Sequence, residues 1–161
     1  MNDDHSDSIK RATAAAIRFI SYRQRTEAEV RARLRRHYPL QIIDSVVESL
    51  IERALIDDSQ FAQSWADSRY RLKPRSASAI RRELATKGIS RTHAEEAVRD
   101  LDDYGSAYRA GSKHARLLAD STFTTFKRRM WAYLQRRGFS SAITRHTVDC
   151  LWNESHAADG T

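Results

Sequence analysis

Few side chains in this sequence have the types and spacings that chemistry needs. His146 and Cys150 stand four apart, on one face of a helical segment, which is the minimum for a thiol activated by an imidazole. No third group in the pattern orients the histidine, and a structural cysteine beside a histidine is the commoner arrangement. Asp57 and Asp58 form a carboxylate pair that a divalent cation would accept. They also lie just ahead of Phe61 at a helix start, where aspartate caps free backbone N–H groups, and capping is the better reading. Trp131 has Lys127, Arg128 and Gln135 as helical neighbours, so it either stacks on a base or anchors a partner, or else packs against the preceding helix of its own segment. There is no glycine-rich phosphate loop and no zinc-protease helix pattern. Cys150 is the single cysteine, which excludes an internal disulfide and a cysteine-based zinc site. The sequence therefore reads as a non-enzyme, with no catalytic residues, no metal and no cofactor.

What remains is charge. The 28 basic residues outnumber the 21 acidic ones, for a net charge of +7 over 161 residues, and most of the cations are arginine. Such a balance points to an anionic partner, nucleic acid or an acidic protein surface, and says nothing of fold. The longest uncharged apolar run is 130–134, far short of the roughly 20 residues that cross a bilayer. The N-terminal residues are polar and acidic rather than basic then apolar, so no secretory signal is expected and the expected location is cytoplasmic, without membrane association.

The elements that must carry these charges are set by an internal repeat. A shift of 50 residues places Thr26 on Ser76, Val30 on Ile80 and Leu34 on Leu84; a second shift places Ile80 on Met130 and Leu84 on Leu134. The second match continues through Lys87-Gly88-Ile89-Ser90 onto Arg137-Gly138-Phe139-Ser140, then Val98 onto Val148 and Leu101 onto Leu151. Apolar residues four apart define one helical face. Thr26 to Glu29 has the capping-box pattern and Ser76 is an N-cap. Gly88 and Gly138 suit the left-handed position after a helix, with Ile89 returning to Leu84 and Phe139 to Leu134, and Ser90 and Ser140 cap the helices that follow. The first copy lacks the glycine and ends instead at His37-Tyr38-Pro39.

A further helix precedes each pair, at about 10–22, 59–71 and 106–119. Pro74 interrupts the helix at 72–75, and 120–124 is a candidate mobile loop. Trp65, Phe61 and Tyr22 read as core. The expected fold is all-α, three tandem three-helix repeats forming an elongated, curved array, with repeats at 9–56, 57–104 and 105–152 between disordered tails at 1–8 and 153–161. Only 5 Gly and 2 Pro argue against an all-β fold.

Charge follows the repeat. Residues 23–36 hold six arginines and two glutamates, 69–87 seven cations and one glutamate, and 127–145 six cations and no acid. By contrast 44–58 and 95–103 each hold five acids and one arginine. The second helices are basic, and the third helices of the first two repeats are acidic. Two readings of any single arginine stand side by side, a contact to a partner and an ion pair with the acidic helices.

The three repeats, together with the segments 55–69, 80–89 and 134–140, resemble the bacterial RecX family over roughly residues 12–152. That resemblance implies a regulator of the RecA recombinase that lies in the groove of the RecA filament on single-stranded DNA and inhibits ATP hydrolysis, strand exchange and coprotease function. It transfers no fixed contact residues. The partner- or DNA-facing candidates are physical choices: Arg31, Arg35 and Arg36; Arg69, Lys73, Arg75, Arg81 and Arg82; Arg128, Arg129 and Arg136, with Trp131 as an aromatic contact. Single- or double-stranded DNA is a secondary partner, the chain is expected to be a monomer, and a helical protein acting directly on DNA without recombinase is the competing reading.

Overall fold

The computed structural model describes residues 2–157. Its helices are α1 (Asn2–Ser21), α2 (Glu27–Leu34), α3 (Leu40–Glu52), α4 (Asp58–Leu72), α5 (Ala77–Thr86), α6 (Arg91–Val98), α7 (Asp103–Ala115), α8 (Phe123–Arg136) and α9 (Ser141–Ala157), with a 3-10 turn at Arg116–Leu118. Among the described residues there is no strand, and no helix is long and apolar enough to cross a membrane. The second helices of the repeats are α2, α5 and α8.

The shared apolar skeleton is the core. Val30, Ile80 and Met130 are all fully buried, as are Leu84 and Leu134, with Leu34 at 1% exposure. Each such side chain contributes about 1.5–3 kcal/mol by leaving water, so the 50-residue register is the register of burial. The chain divides into two compact bodies, residues up to 64 with 84–94, and 65–83 with 95 onward. In the first, α1 lies on α2 and α3, and its core joins Ala12 and Ala16 to Val30, Leu34, Ile43, Val47 and Leu50. In the second, α7, α8 and α9 pack together around Ala107, Ala110, Phe126, Met130, Leu134, Phe139, Val148 and Leu151.

The helix ends follow the sequence reading closely. Gly88 (φ +78°) and Gly138 (φ +88°) occupy the left-handed region. The Ile89 N–H donates to the Leu84 carbonyl at 3.1 Å and Gly88 N–H to Ala85 at 3.0 Å; Phe139 and Gly138 repeat the pair on Leu134 and Gln135. These are the two bonds of a Schellman turn. Ser90 and Ser140 accept from His93 N–H and Ile143 N–H. A third such turn closes α3, where Leu55 N–H donates to Leu50 and Ala54 takes φ 55° without being glycine.

Several expectations are corrected. The tail expected to be disordered at 1–8 is helical from Asn2, so α1 begins two turns before residue 10; Asp4 and Asp7 near its N-terminus complement the helix dipole, and Asp7 pairs with Lys10. At the other end 153–157 continue α9, tied by a 2.7 Å hydrogen bond from the Tyr108 hydroxyl to Glu154 and by the His156 ring stacked on Trp152. Residues 1 and 158–161 of the expected tails lie outside the described residues. Tyr22 is 78% exposed, because α1 stops at Ser21 before its ring can turn inward. The loop expected at 120–124 is shorter, since Thr122 caps α8 through Thr125 N–H and Phe123 and Thr124 are already helical.

Glycine at the turns also meets a close neighbour. A Cβ on Gly88 would overlap the Cβ of Ala28, and one on Gly138 would lie 2.6 Å from both Ala79 Cβ and Ser76 Oγ. We expect Gly88→Ala to destabilise the fold by about 2–4 kcal/mol, the sum of left-handed strain and overpacking. Adding Ala28→Gly should return the packing part and leave the backbone part, a recovery that denaturant unfolding of the single and double variants measures directly.

Candidate basic interaction surface

Each second helix begins with backbone N–H groups that its own turn cannot satisfy. Thr26 solves part of this locally: its Oγ1 accepts from Glu29 N–H, and Glu29 Oε2 accepts from Thr26 N–H, the reciprocal capping box. The remainder comes from the next repeat. Glu27 N–H donates to Asp58 Oδ1 at 2.9 Å, and the Thr26 hydroxyl donates to the Lys87 carbonyl at 2.8 Å. The second body holds the same joint: Ala77 N–H donates to Asp103 Oδ1 at 2.8 Å, and Ser76 N–H to the Arg137 carbonyl at 3.1 Å. Asp57 caps its own α4 through Gln60 N–H. Both members of the carboxylate pair are thus caps, one for its own helix and one for α2. Burial of Asp58 raises its pKa above the ordinary range, the hydrogen bond from Glu27 N–H opposing.

Against this frame the candidate cations fall into two groups. Arg31 is held by two carboxylates: Nε donates to Glu27 at 2.7 Å and Nη1 to Asp44 at 2.6 Å, and these bonds, Asp44 first, hold it more firmly charged. Arg69 on α4 and Arg75 in the connection that follows are drawn to Glu83, the one acid of α5. Glu83 Oε2 accepts from Trp65 Nε1 at 2.8 Å and from Arg69 Nε at 2.7 Å, and Arg69 also lies 4.5 Å over the Trp65 ring. Arg75 Nε, buried, stands 3.2 Å from Glu83 Oε1, a charge contact without hydrogen-bond alignment. The carboxylate at residue 83 was counted in the sequence only as one negative among seven positives; its spacing of 14 and 18 from Arg69 and Trp65 carries no local signal.

Arg35, Arg36, Lys73, Arg81, Arg82, Arg128, Arg129 and Arg136 are exposed. Among the described residues, Arg35, Arg36, Arg81, Arg128, Arg129 and Arg136 have no carboxylate partner within 4.0 Å. Their field is felt in the second body. His114, stacked on Tyr133 at 4.0 Å with the rings 3° apart, has its pKa lowered by burial and then by Arg136, Arg137 and Arg129. Arg137 covers the Tyr133 ring at 4.6 Å and donates to the Pro74 carbonyl. Trp131 is half-buried beside Phe123, Thr124, Lys127 and Arg128. The core tryptophan of α9 is Trp152, tilted against Phe126 at 5.3 Å.

His146 and Cys150 do meet, Nε2 to Sγ 3.5 Å, and the Tyr104 and His146 rings stand near perpendicular with centres 5.2 Å apart. Among the described residues no cluster of three histidine, cysteine or carboxylate side chains is arranged to hold a metal.

The comparisons with known proteins run the length of the chain. Residues 12–50, 57–98 and 101–148 match, in turn, the first, second and third three-helix domains of RecX. The chain is 34% identical to the regulatory protein RecX of Chlorobium phaeobacteroides over 89% of this chain and 95% of that one. It is 29% identical to the regulatory protein RecX of Chlorobium limicola, covering 92% and 93%. The crystal structure of RecX from Lactobacillus salivarius superposes with a TM-score of 0.79 at 24% identity, over 94% of this chain and 99% of that one, a likeness of fold.

The two groups of arginines predict different failures. Arg69→Ala and Glu83→Gln should each cost about 1–3 kcal/mol of stability by breaking a charged hydrogen-bond network, whereas Arg128→Ala and Arg129→Ala should leave the unfolding midpoint within about 0.5 kcal/mol of the parent. Equal loss from both groups in thermal unfolding would contradict the division. A pH effect also follows from His114. A folded-state pKa below the ordinary 6.5 means that the unfolded chain takes up this proton first, so this contribution to stability is full above that value and falls as pH drops through it. His114→Phe, which keeps a ring on Tyr133, should flatten this part of the acid limb in denaturant titrations at stepped pH.

Proposed function

Because this chain belongs to the RecX family, we propose that it is a regulatory protein acting on the RecA recombinase filament on single-stranded DNA, restraining its ATP hydrolysis, strand exchange and coprotease function. The observation that supports this reading in the chain itself is the set of exposed basic side chains on and just after the second helices, Arg35 and Arg36 at the end of α2, Arg81 on α5, and Arg128, Arg129 and Arg136 on α8. Cations left to solvent rather than paired internally supply a field that an anionic assembly meets. A filament of recombinase on DNA is such an assembly, repeating along its length. Binding, not bond-making, is the activity: the protein restrains the subunit rearrangements that hydrolysis and strand exchange need.

On this reading Arg31, Arg69 and Arg75 are withdrawn from the contact surface and serve the fold, and Lys73 joins the exposed group. The protein works in the bacterial cytoplasm as a monomer, with DNA as a secondary partner through the same cations. The competing reading, action on DNA alone, differs in what it requires: tight binding to bare DNA that weakens with salt by a slope of about −0.9 per phosphate neutralised on duplex.

The experiment adds the purified chain at substoichiometric amounts to RecA on single-stranded DNA and follows ATP hydrolysis and filament length. Inhibition is expected from the parent chain. Arg81→Glu with Arg82→Glu, and Arg128→Glu with Arg129→Glu, should raise the concentration for half-inhibition by about tenfold or more while helical content is retained. Inhibition unchanged in both folded variants would refute the basic-surface reading.

A further inference from the structure

Along α8 the core residues Phe126, Met130 and Leu134 face inward, and a second stripe, Phe123, Lys127 and Trp131, runs one turn apart beside Thr124 and Arg128. These five residues line an open groove of about 520 Å³. Three features of it stand together. The first is its charge: no carboxylate lines it, and α8 contains none from Phe123 to Arg136. The second is the state of its tryptophan. Trp65 donates to Glu83, and Trp152 is enclosed by Phe123, Phe126 and His156. The Trp131 ring has neither a hydrogen bond nor a ring contact among the described residues, although it is held half-buried on a helix whose other face is core. The third is a second aromatic at the same groove: Phe123 is 42% exposed, braced from behind by Trp152 at 5.1 Å, with Lys127 Nζ 5.9 Å from its ring centre.

A ligand that fits must be anionic at intervals and must also offer flat apolar faces to the two rings. An acidic peptide meets the cations but not the rings. A nucleic-acid duplex hides its base faces in the stack. A single strand offers both, phosphates to Lys127 and Arg128 and unpaired bases to the indole. Phe123 and Trp131 are eight residues apart, about 12 Å along the axis, against about 3.4 Å for one stacked base, so the site spans more than one nucleotide.

We propose that the exposed stripe of α8 is a base-stacking site for single-stranded nucleic acid, with Trp131 as the stacking platform, Phe123 as the far wall and Lys127 and Arg128 as phosphate contacts. The site shares Arg128 with the regulatory surface above but needs no recombinase, so its test is read apart from that one. It assigns to Trp131 the grip on unpaired bases and to the arginines of the other second helices none.

The test uses the full chain without recombinase, titrated with an oligodeoxythymidylate and with an abasic deoxyribose-phosphate oligomer of equal length, followed by tryptophan fluorescence and by anisotropy of the labelled oligomer. The parent chain should bind the thymidylate more tightly than the abasic strand and lose indole fluorescence on binding. Trp131→Ala should abolish most of that quenching and weaken thymidylate binding by about fivefold to a hundredfold, with the abasic affinity unchanged and the circular dichroism preserved. Trp131→Phe should restore part of the affinity. Lys127→Gln should weaken both oligomers alike and lower the salt slope by about one. Equal affinity of the parent for the two oligomers, no measurable binding of either, or thymidylate binding undiminished in Trp131→Ala would each overturn the site, and none of these results would alter inhibition of the recombinase.

Discussion

The fold rests on the unsatisfied ends of its second helices. An α-helix leaves its first N–H groups without partners, and an eight-residue helix such as α2 leaves nearly half of them. For α2 and α5 part of the deficit is met from the following repeat, by the carboxylates of Asp58 and Asp103 and by the turns that Gly88 and Gly138 shape. The donors and acceptors at these joints are largely backbone, so the geometry is fixed by hydrogen-bond length. Glycine at the turn is then required twice over, by its positive φ and by the approach of Ala28 or Ala79. Burial of the Val30, Ile80 and Met130 series supplies the bulk of the stabilisation, but the joints decide which turn of one repeat meets which helix of the next.

This arrangement explains why so much charge is left for the surface. A joint made of Ser or Thr, Asp and glycine needs no long side chain, and the core takes only aliphatic and aromatic residues. The solvent faces of α2, α5 and α8 are free to be basic at little cost to stability. Where arginine does serve the fold, at Arg31, Arg69 and Arg75, an acid stands with it: Glu27 and Asp44 in one case, Glu83 in the other two. The interaction surface is defined by subtraction, as the cations that no internal carboxylate claims.

What could be read from the amino-acid order was whatever depends on residues near one another or on a repeating register. The buried series, the Schellman glycines and the caps at Thr26, Ser90 and Ser140 are all local or periodic, and all are where the sequence places them. Contacts over long separations were not legible. Asp58 was readable as a cap but not as the cap of α2, thirty-one residues earlier, and nothing near Glu83 marks it as the anchor of Trp65, Arg69 and Arg75. Arginine counts therefore overstated the surface. The helical ends at 2–8 and 153–157 are hidden by their polar composition, yet aspartates at an N-terminus and an aromatic pair at Trp152 and His156 hold the turns.

The two joints are closely alike: a hydroxyl residue and free backbone N–H on one side, an aspartate, a left-handed glycine and an acceptor carbonyl on the other. The middle repeat thus carries both ends, Asp58 and Gly88 toward the first repeat and Ser76 toward the third, like a link whose hook and eye are standard while its body is not. A chain built this way lengthens or shortens by whole repeats without redesigning a joint, and the identity of a repeat's solvent face can drift, basic or aromatic, while its contact with the neighbouring repeat is kept by a handful of atoms common to both joints.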